Sequence, residues 1–466
     1  MTSFYETPLS KRYASQEMKE LFSSTFKYQT WRKLWVALAE GQQNLGLPIS
    51  SSQIKELKSK IDSIDFNRVH EIEKVCRHEV VAHLEAYRED CPNARGVLHL
   101  GATSSYVMDN GDLITIKFAL QLLQQKLIHL IEKLNHTALK EADTPCLGYT
   151  HFQPAQGTTF GKRSALWLQD FITDFKDLST LLEDFPFLGC KGAIGTSGSF
   201  LTLFNGDHQK VIALDDEVTK KMGFKRSYLI SSQTFPRKQE QRILSLLANI
   251  GSSAHKCGTD LRLLAHLGEV AESFGDGQVG SSAMPYKRNP ILSERVCGLS
   301  RFVINLWHNA ADNASQQWLE RSLDDSSNRR LTIPEAFLAA DSIVNLLYTI
   351  FNDLQTFPKQ MKSHFDKHLP YLITEPFLAK AVLKGKDRQE AHALIKKITF
   401  ENPPEILIEK LASALDLNAY EVDSLCKIDN LIGRSKEQVF EFLKLEVEPL
   451  LEQHLTQKLT IPSIEI

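Results

Sequence analysis

"LITIKFALQLLQQKLIHLIEKL", residues 113–134, carries apolar residues at alternating steps of three and four. This spacing follows the 3.6-residue turn of an α-helix, so the apolar side chains fall on one face. The residues of that face are Leu113, Ile116, Leu120, Leu123, Leu127, Leu130 and Leu134. The stretch therefore predicts a long helix that buries one face against neighbouring helices.

Two further stretches keep the same rhythm, and the second of them lies in a run without proline from residue 237 to 284. Their apolar residues are Leu168, Phe171, Phe175, Leu178 and Leu182, and then Ile243, Leu247, Ile250, Ala254, Cys257, Leu261 and Leu264. A two-stranded coiled coil would give similar seams, but Pro154, Pro186 and the loop-like segment 185–208 interrupt them. The pattern favours an antiparallel bundle. Because strand-like alternation is sparse, we predict an all-α fold.

A chain of 466 residues has room for about three domains. Irregular segments near "LHLGATSS" and "TFPKQ" mark the predicted boundaries. We expect an N-terminal helical domain with substrate-binding segments at 1–105, a central long-helix domain at 106–357 and a C-terminal helical domain at 358–466.

The overall charge gives no support to a general role on nucleic acids or membrane surfaces. Basic residues number 54 and acidic residues 57, for a net charge of −3, so any anion must be bound by a local cluster. The seven cysteines are scattered without a C-x-x-C pair, which fits a reducing cytoplasm better than a disulfide framework. The N-terminus lacks an apolar signal core, and no run approaches the roughly 18 apolar residues of a membrane span.

The segment "GDGQVGSSAMPYKRNP", residues 275–290, does not follow the helical period. Gly275, Gly277 and Gly280 spell G-x-G-x-x-G, but a predicted helix precedes them, whereas a dinucleotide site requires a strand. The glycines are better interpreted as hinges. Asn289 and Pro290 suit the N-cap and first residue of a following helix.

This segment also carries Ser281, Ser282, Lys287 and Arg288 between its flexible and rigid ends. It has the features of a lid that closes over an anion, and lids help to exclude water from active sites. A solvated surface loop would have the same composition, so the residues alone leave both interpretations open.

Three histidines in irregular surroundings, His78, His99 and His151, are candidate proton carriers. Each could equally be a packed or surface residue. The cluster "WLERSLDDSSNRRL" supplies arginines suited to carboxylate or phosphate, although a salt-bridged helix face with Asp324 and Asp325 is the alternative. Because no His, Cys, Asp or Glu set has metal-ligand spacing, the residues suggest metal-free proton transfer on an anionic substrate.

The signature "GSSAMPYKRNP" resembles that of the fumarase/aspartase superfamily of lyases. Its Ala-Met-Pro-Tyr-Lys-Arg-Asn form is similar to the adenylosuccinate lyase family of animals. The resemblance extends over nearly the whole chain, because "SKRYAS", "RHE", "LHLGATS", "THFQPAQ", "SSQTFPRK" and "ERSLDDSSNRR" occur in the family's order. It implies an all-α homotetramer whose three-domain subunits pool their long helices in a central bundle, with each active site built from three subunits.

The implied reaction is β-elimination of fumarate from adenylosuccinate, giving AMP, and from the corresponding imidazole intermediate of purine synthesis. The resemblance assigns Ser281 as the base and His151 as the acid, with Lys287 stabilising charge and His78 near the phosphate or His151. It implies no cofactor. Other implied substrate contacts are Arg12, Tyr13, Arg77, Glu79, Thr103, Ser104, Gln233, Asn289, Arg295, Arg321, Ser326 and Arg330. Glu79 departs from the family, which commonly has Asp there, so the geometry of that contact is in doubt.

Two alternatives remain at this stage. Argininosuccinate lyase and fumarase resemble the chain in fold, although their signatures differ at Ala283 and at residues 286–288. A catalytically retired helical scaffold could also keep the fold, but Ser281, His151 and Lys287 are all present.

Overall fold

The computed structural model describes residues 5–273, 283–284 and 286–455. Its N-terminal part consists of a π-helical turn, Leu9–Tyr13, followed by short and medium helices. These are α1 (Gln16–Leu21), α2 (Ser24–Asn44), α3 (Ser51–Ser59), α4 (Phe66–Cys76) and α5 (Glu79–Asp90). Ser15, Ser23 and Ser50 accept hydrogen bonds from backbone N–H groups in the first turns of α1, α2 and α3. The starts of these helices are therefore fixed by side-chain caps.

The centre of the fold is made of long helices. They are α6 (Ser104–Lys140), α7 (Phe160–Glu183), α10 (Lys238–His266), α11 (Ile291–Ser315) and α12 (Asp324–Asn352), with the shorter α8 (Gly198–Leu203) and α9 (His208–Lys221) between α7 and α10. The helices α10, α11 and α12 pack in succession, and α6 packs against both α7 and α12. This arrangement confirms the predicted long-helix bundle.

The apolar face that predicted α6 is buried along its whole length. All seven of its residues, from Leu113 to Leu134, are at most 1% exposed. Burying a Leu or Ile side chain stabilises a fold by about 1.5–3 kcal/mol, so this face is one of the main sources of stability. The predicted residues of α10 are buried as well, and in α7 Leu182 alone of the predicted set stays partly exposed.

The sequence did not predict the hairpin between α6 and α7. Its strands are β1 (Pro145–Thr150) and β2 (Gln153–Thr159), paired antiparallel. His151 and Phe152 form the two-residue turn with φ of 53° and 58°. Two consecutive positive φ angles define the turn that suits a tight hairpin, and Asn-Gly is its usual sequence signal. A His-Phe pair gives no such signal, which explains the miss.

Two helix ends differ from the sequence prediction. The helix α10 ends at His266, well before the proline-free run does, and Gly268 then takes a φ of 71°. The helix α11 begins at Ile291 with Pro290 at the N-cap, so the assignment of Asn289 as the cap was wrong. The first-turn N–H groups of Leu292 and Ser293 instead donate to the carboxylate of Glu272, at 2.9 and 2.7 Å. A long-range acidic cap has replaced the local one.

The C-terminal part is again built of shorter helices. They are α13 (Pro358–Leu372), α14 (Thr374–Leu383), α15 (Arg388–Glu401), α16 (Pro404–Ala414), α17 (Ala419–Leu425), α18 (Ile428–Leu431), α19 (Ser435–Phe442) and α20 (Glu448–His454), with a π-helical turn at Leu443–Val447. A second small sheet pairs β3 (Val270–Ala271) with β4 (Gln355–Thr356) just before α13.

The apolar cores of the described residues do not follow the predicted domain divisions closely. One large core joins the N-terminal helices to the long bundle and also takes in Val439, Leu443 and Val447 from the end of the chain. A second core lies among the helices from α13 to α18 and includes Leu147 of the hairpin. The start of α6 at Ser104 and of α13 at Pro358 lies close to the proposed boundaries, which stay a prediction.

Among the described residues, α12 has the length and composition of a possible membrane span, with a mean hydropathy of 1.2 in its most apolar window. That window is 83% buried inside the fold, as expected for the central helix of a soluble protein. All seven cysteines are free thiols.

Candidate active site

A cavity of about 690 Å³ lies where α5, the start of α6, the segment before α10 and the first turns of α12 meet. The sequence predicted many of the residues that line it. These are His78, Glu79, Thr103, Ser104, Gln233, Arg321, Ser326 and Arg330. They come from four separate stretches of the chain, so the fold brings together residues that the sequence leaves as much as 252 positions apart.

His78 faces this cavity from the N-cap position of α5. The preceding residue, Arg77, takes a left-handed conformation with a φ of 53°, which turns the chain sharply between α4 and α5. His78 Nδ1 accepts a hydrogen bond from Val81 N at 3.4 Å, and Nε2 lies 3.4 Å from Ser104 Oγ. With Nδ1 accepting, the neutral ring carries its proton on Nε2, where it points at Ser104.

Thr103 and Ser104 form the start of α6 at the cavity wall. The tight turn before them uses positive φ angles at His99 (62°) and Gly101 (78°). The turn is fixed from inside, because Trp35 Nε1 donates to His99 Nδ1 at 2.8 Å. Burial and the neighbouring His78 lower the pKa of His99 to about 4. His99 is therefore neutral near pH 7 and serves here as an acceptor within the turn.

Gln233 is held at both ends of its amide. Its Nε2 donates to the carbonyl of Ala193 at 3.0 Å, and its Oε1 accepts from Ser105 Oγ at 3.3 Å. Its backbone N–H donates to the carbonyl of Glu320, which ties the segment to the approach to α12. Gln233 thus has a fixed orientation at the cavity wall.

Glu79 and Arg330 are paired across the cavity, with Arg330 NH2 2.6 Å from Glu79 Oε2. The other carboxylate oxygen accepts from Lys27 Nζ at 2.6 Å and from Tyr28 OH at 2.9 Å. Burial by itself raises the pKa of Glu79, but Lys27 and Arg330 outweigh it and lower the pKa to about 2. The carboxylate is ionised and bound to three protein groups. Sequence reasoning missed Lys27 and Tyr28, because nothing local marks them as neighbours of Glu79.

A second group of predicted residues lies apart from the cavity lining. The guanidinium of Arg295 on α11 stands 5.1 Å from the ring centroid of Tyr13. Arg295 NH1 is buried and has no hydrogen-bond partner among the described residues. A buried guanidinium donor is costly to leave unpaired, so an anionic ligand would suit this place. Arg12 precedes Tyr13 in the same π-helical turn, and both Arg12 and Arg77 are exposed.

Among the described residues, His151, Lys287 and Asn289 are predicted site residues outside the cavity lining. His151 is exposed at the tip of the hairpin. Lys287 is exposed ahead of α11 and its backbone N–H donates to the carbonyl of Met284, while the backbone carbonyl of Asn289 accepts from Ile291 N. Ser281 and Ser282, together with the glycines at 275, 277 and 280, lie outside the described residues.

Comparison with known proteins gives this geometry its context. A lyase family model matches residues 17–304. The adenylosuccinate lyase of Schistosoma mansoni is 45% identical over 462 residues, covering 97% of this chain and 96% of the relative. That of Schizosaccharomyces pombe is 42% identical, with 96% and 95% covered, and that of Saccharomyces cerevisiae is 40% identical, with 96% of each covered.

The chain belongs to the adenylosuccinate lyase family. These three relatives are eukaryotic, which agrees with the animal-like form of the signature. The fold is that of the wider superfamily. A fumarate lyase from Mesorhizobium sp. BNC1 superposes with a TM-score of 0.80 at 22% identity, covering 95% of this chain and all of that one. The 3-carboxy-cis,cis-muconate lactonizing enzyme of Pseudomonas putida gives 0.82 at 22% identity, with 94% and 98% covered.

Proposed function

We propose that this chain is an adenylosuccinate lyase that releases fumarate from adenylosuccinate, giving AMP, and from succinylated aminoimidazole carboxamide ribotide. The observation that carries the proposal is the cavity, because its lining includes eight residues to which the family resemblance gives a catalytic or substrate-binding role. Full-length similarity to the adenylosuccinate lyases of several eukaryotes supports it. Both reactions belong to purine biosynthesis.

The elimination needs a base, an acid and a cationic environment. The base removes a proton from the carbon beside a carboxylate, which places extra negative charge on that carboxylate. The bond between carbon and the departing nitrogen then breaks, its electron pair stays on nitrogen, and the acid protonates that nitrogen. The products are fumarate and the free amine. No metal or cofactor has a part in this scheme.

Each role is assigned to a residue of this chain. Ser281 is the base and His151 the acid. Lys287 stabilises the alkoxide form of Ser281, which removes the proton, and the negatively charged intermediate that results. His78, oriented by Val81 N and Ser104 in the cavity, assists at the phosphate or beside His151. Arg321 and Arg330 supply cationic groups in the cavity.

The proposed substrate carries a charged succinyl group at one end and a ribose phosphate at the other, and separate cationic clusters bind the two ends. One cluster lines the cavity. The other consists of Arg12 and Arg295 beside Tyr13. Because recognition is concentrated at the ends, the ring between them is held less strictly, so a purine and a smaller imidazole carboxamide are both accepted. Binding energy at the ends positions the reacting atoms.

We further propose that the active enzyme is a homotetramer in which each site combines segments from three subunits. Within one chain His151 is absent from the cavity lining, so another subunit's hairpin would supply the acid. Large apolar side chains are also exposed on and next to the long helices, among them Leu331, Phe302, Trp318 and Leu319. Exposed apolar surface of this kind is typical of a protein interface. We place the protein in the cytoplasm, without nucleic-acid or membrane partners.

The deciding experiment is single-turnover absorbance with each succinylated substrate. We expect fumarate release from both, and none from argininosuccinate or malate. Removal of the substrate's phosphate should lower turnover as well as affinity. Comparable cleavage of argininosuccinate would favour the alternative lyase, whereas a folded protein that releases no fumarate would favour the catalytically retired scaffold. If the unphosphorylated nucleoside were turned over as fast as the nucleotide, the proposal that the enzyme binds the substrate at both charged ends would be contradicted.

A further inference from the structure

A group of buried charges lies directly behind the cavity wall. At its centre is Arg237, the residue before α10, whose side chain is 1% exposed. Its NH1 donates to Asp109 Oδ1 of α6 at 2.7 Å, and its Nε donates to Asp325 Oδ2 of α12 at 2.6 Å. Both carboxylates are buried, at 3% and 0% exposure. The group therefore joins three of the elements that frame the cavity.

Asp325 differs from Asp109 in what its second oxygen does. Asp325 Oδ1 accepts from Arg321 NH1 at 2.8 Å, and Arg321 is one of the cationic residues of the cavity lining. In Asp109 the oxygen that accepts from Arg237, Oδ1, is also the one that accepts from the backbone N–H of Phe235, at 3.3 Å. Both acids contact Arg237 at nearly the same distance, but Asp325 is the one that also holds a cavity residue.

The contact fixes Arg321 from its buried side. A long Arg side chain that points freely into a cavity would have to lose its rotamer freedom each time a substrate bound. Arg321 instead donates to a buried carboxylate whose other oxygen accepts from Arg237, so the position of that carboxylate is held from both sides. Substrate-binding groups work best when their own orientation is fixed by a supporting layer of hydrogen bonds.

Burial alone does not explain this arrangement. A buried ion pair costs several kcal/mol of desolvation per ion, so replacing one with apolar residues is often neutral or stabilising. Arg237 already has a buried partner in Asp109. The added benefit of Asp325 lies in its link to Arg321, at the cavity wall.

We infer that Asp325, held in place by Arg237, is a positioning residue for the elimination and sets the orientation in which Arg321 binds the substrate's anionic group. This inference rests on the proposed function. Asp325 contacts no substrate in this scheme. It acts through Arg321, so its effect exists only while Arg321 is present.

A double-mutant cycle tests this dependence. The variants are Asp325→Asn, Arg321→Gln and their combination, with kcat/KM for fumarate release measured alongside the thermal midpoint of each. Asp109→Asn is the matched control, since it removes a buried carboxylate from the same arginine without touching Arg321. Interaction energies between contacting residues correspond to about 2- to 150-fold in an equilibrium or rate ratio.

Asp325→Asn should lower kcat/KM about 10- to 100-fold in the natural background, and less than about 3-fold when Arg321 is already Gln. Asp109→Asn should lower it by the same factor in both backgrounds. Equal factors for Asp325→Asn in the two backgrounds would overturn the inference, as would an equally large coupling between Asp109 and Arg321.

If Asp325→Asn does not fold, Arg237→Lys provides a second route. It keeps a buried positive charge but removes the Nε donor that holds Asp325, so its effect should again depend on Arg321. Lack of that dependence would also contradict the inference. If the natural protein releases no fumarate, both the proposed function and the inference are refuted. If the protein is active but the substitutions at Asp325 and Arg321 lower kcat/KM independently of each other, the inference alone is refuted.

Discussion

Glu79 connects three parts of the fold, and replacing it should destabilise the protein. Its side chain is 17% exposed and sits at the start of α5. It binds Lys27 and Tyr28 of α2 and Arg330 of α12. Glu79→Gln keeps the shape of the side chain and removes its charge, so it isolates the electrostatic part of these contacts.

The lowered pKa sets the size of the effect. A fall from the ordinary 4.5 to about 2 corresponds to ~3 kcal/mol, at about 1.4 kcal/mol per pKa unit. Lys27 and Arg330 are 35% and 53% exposed, so solvent screens both interactions. We therefore expect Glu79→Gln to reduce the free energy of unfolding by about 1–2 kcal/mol at pH 7.

Urea unfolding followed by tryptophan fluorescence can measure this loss, because Trp31 lies 5.0 Å from the ring of Tyr28. Glu85→Gln is the control on the same helix. Glu85 pairs with Arg88 three residues away, and both side chains are partly exposed. Such a pair contributes about 0.3–0.5 kcal/mol, so the control should lose clearly less stability than Glu79→Gln.

The pH dependence gives an independent check. Because the pKa of Glu79 is lower in the folded protein, its contribution is fully present above pH 4.5 and is lost as the pH falls from 4.5 towards 2. The difference in the free energy of unfolding between the natural protein and Glu79→Gln should therefore be constant from pH 7 to about pH 5.5. It should become smaller below pH 4.5. Equal losses for the two variants, or a difference that widens in acid, would refute the reasoning.

Three further predictions concern the base, the assembly and the packing of the bundle. Ser281→Ala should lower kcat by about 10²–10⁴-fold or more in steady-state assays with substrate binding nearly kept, and a far more damaging Ser282→Ala would show that the wrong serine was chosen. Mixing inactive His151→Ala and Ser281→Ala proteins under subunit exchange should restore some fumarate release, and no recovery after proven exchange would contradict composite sites. Gly161→Ala should destabilise the fold by about 1–3 kcal/mol, because the added Cβ would lie 2.5 Å from the carbonyl oxygen of Ala138. Gly96→Ala is the control, since a Cβ there would have no atom within 4 Å, and it should leave the thermal midpoint nearly unchanged.

The long helices could be predicted because their signal is local and repeated. Each turn of α6 places another Leu or Ile on the same face, so many residues report the same structure and single errors matter little. The hairpin could not be predicted in this way. Its turn depends on the backbone angles of two residues, His151 and Phe152, whose types do not favour those angles. The N-cap of α11 was wrong for a related reason, since Glu272 reaches it from a distant part of the chain.

The candidate site shows the same division between local and distant information. The resemblance could assign functional residues because they lie in short motifs that are recognisable in the sequence. Eight of those residues line one cavity. The quoted motifs include Arg237 and Asp325 but do not show that these two residues are in contact, and Lys27 and Tyr28 lie outside the motifs. Lys27, Tyr28 and Arg237 hold Glu79 and Asp325 through contacts that span 51 to 88 positions. These supporting contacts hold the arginines of the cavity in one orientation, so substrate binding is expected to depend on them as well as on the residues that line the cavity.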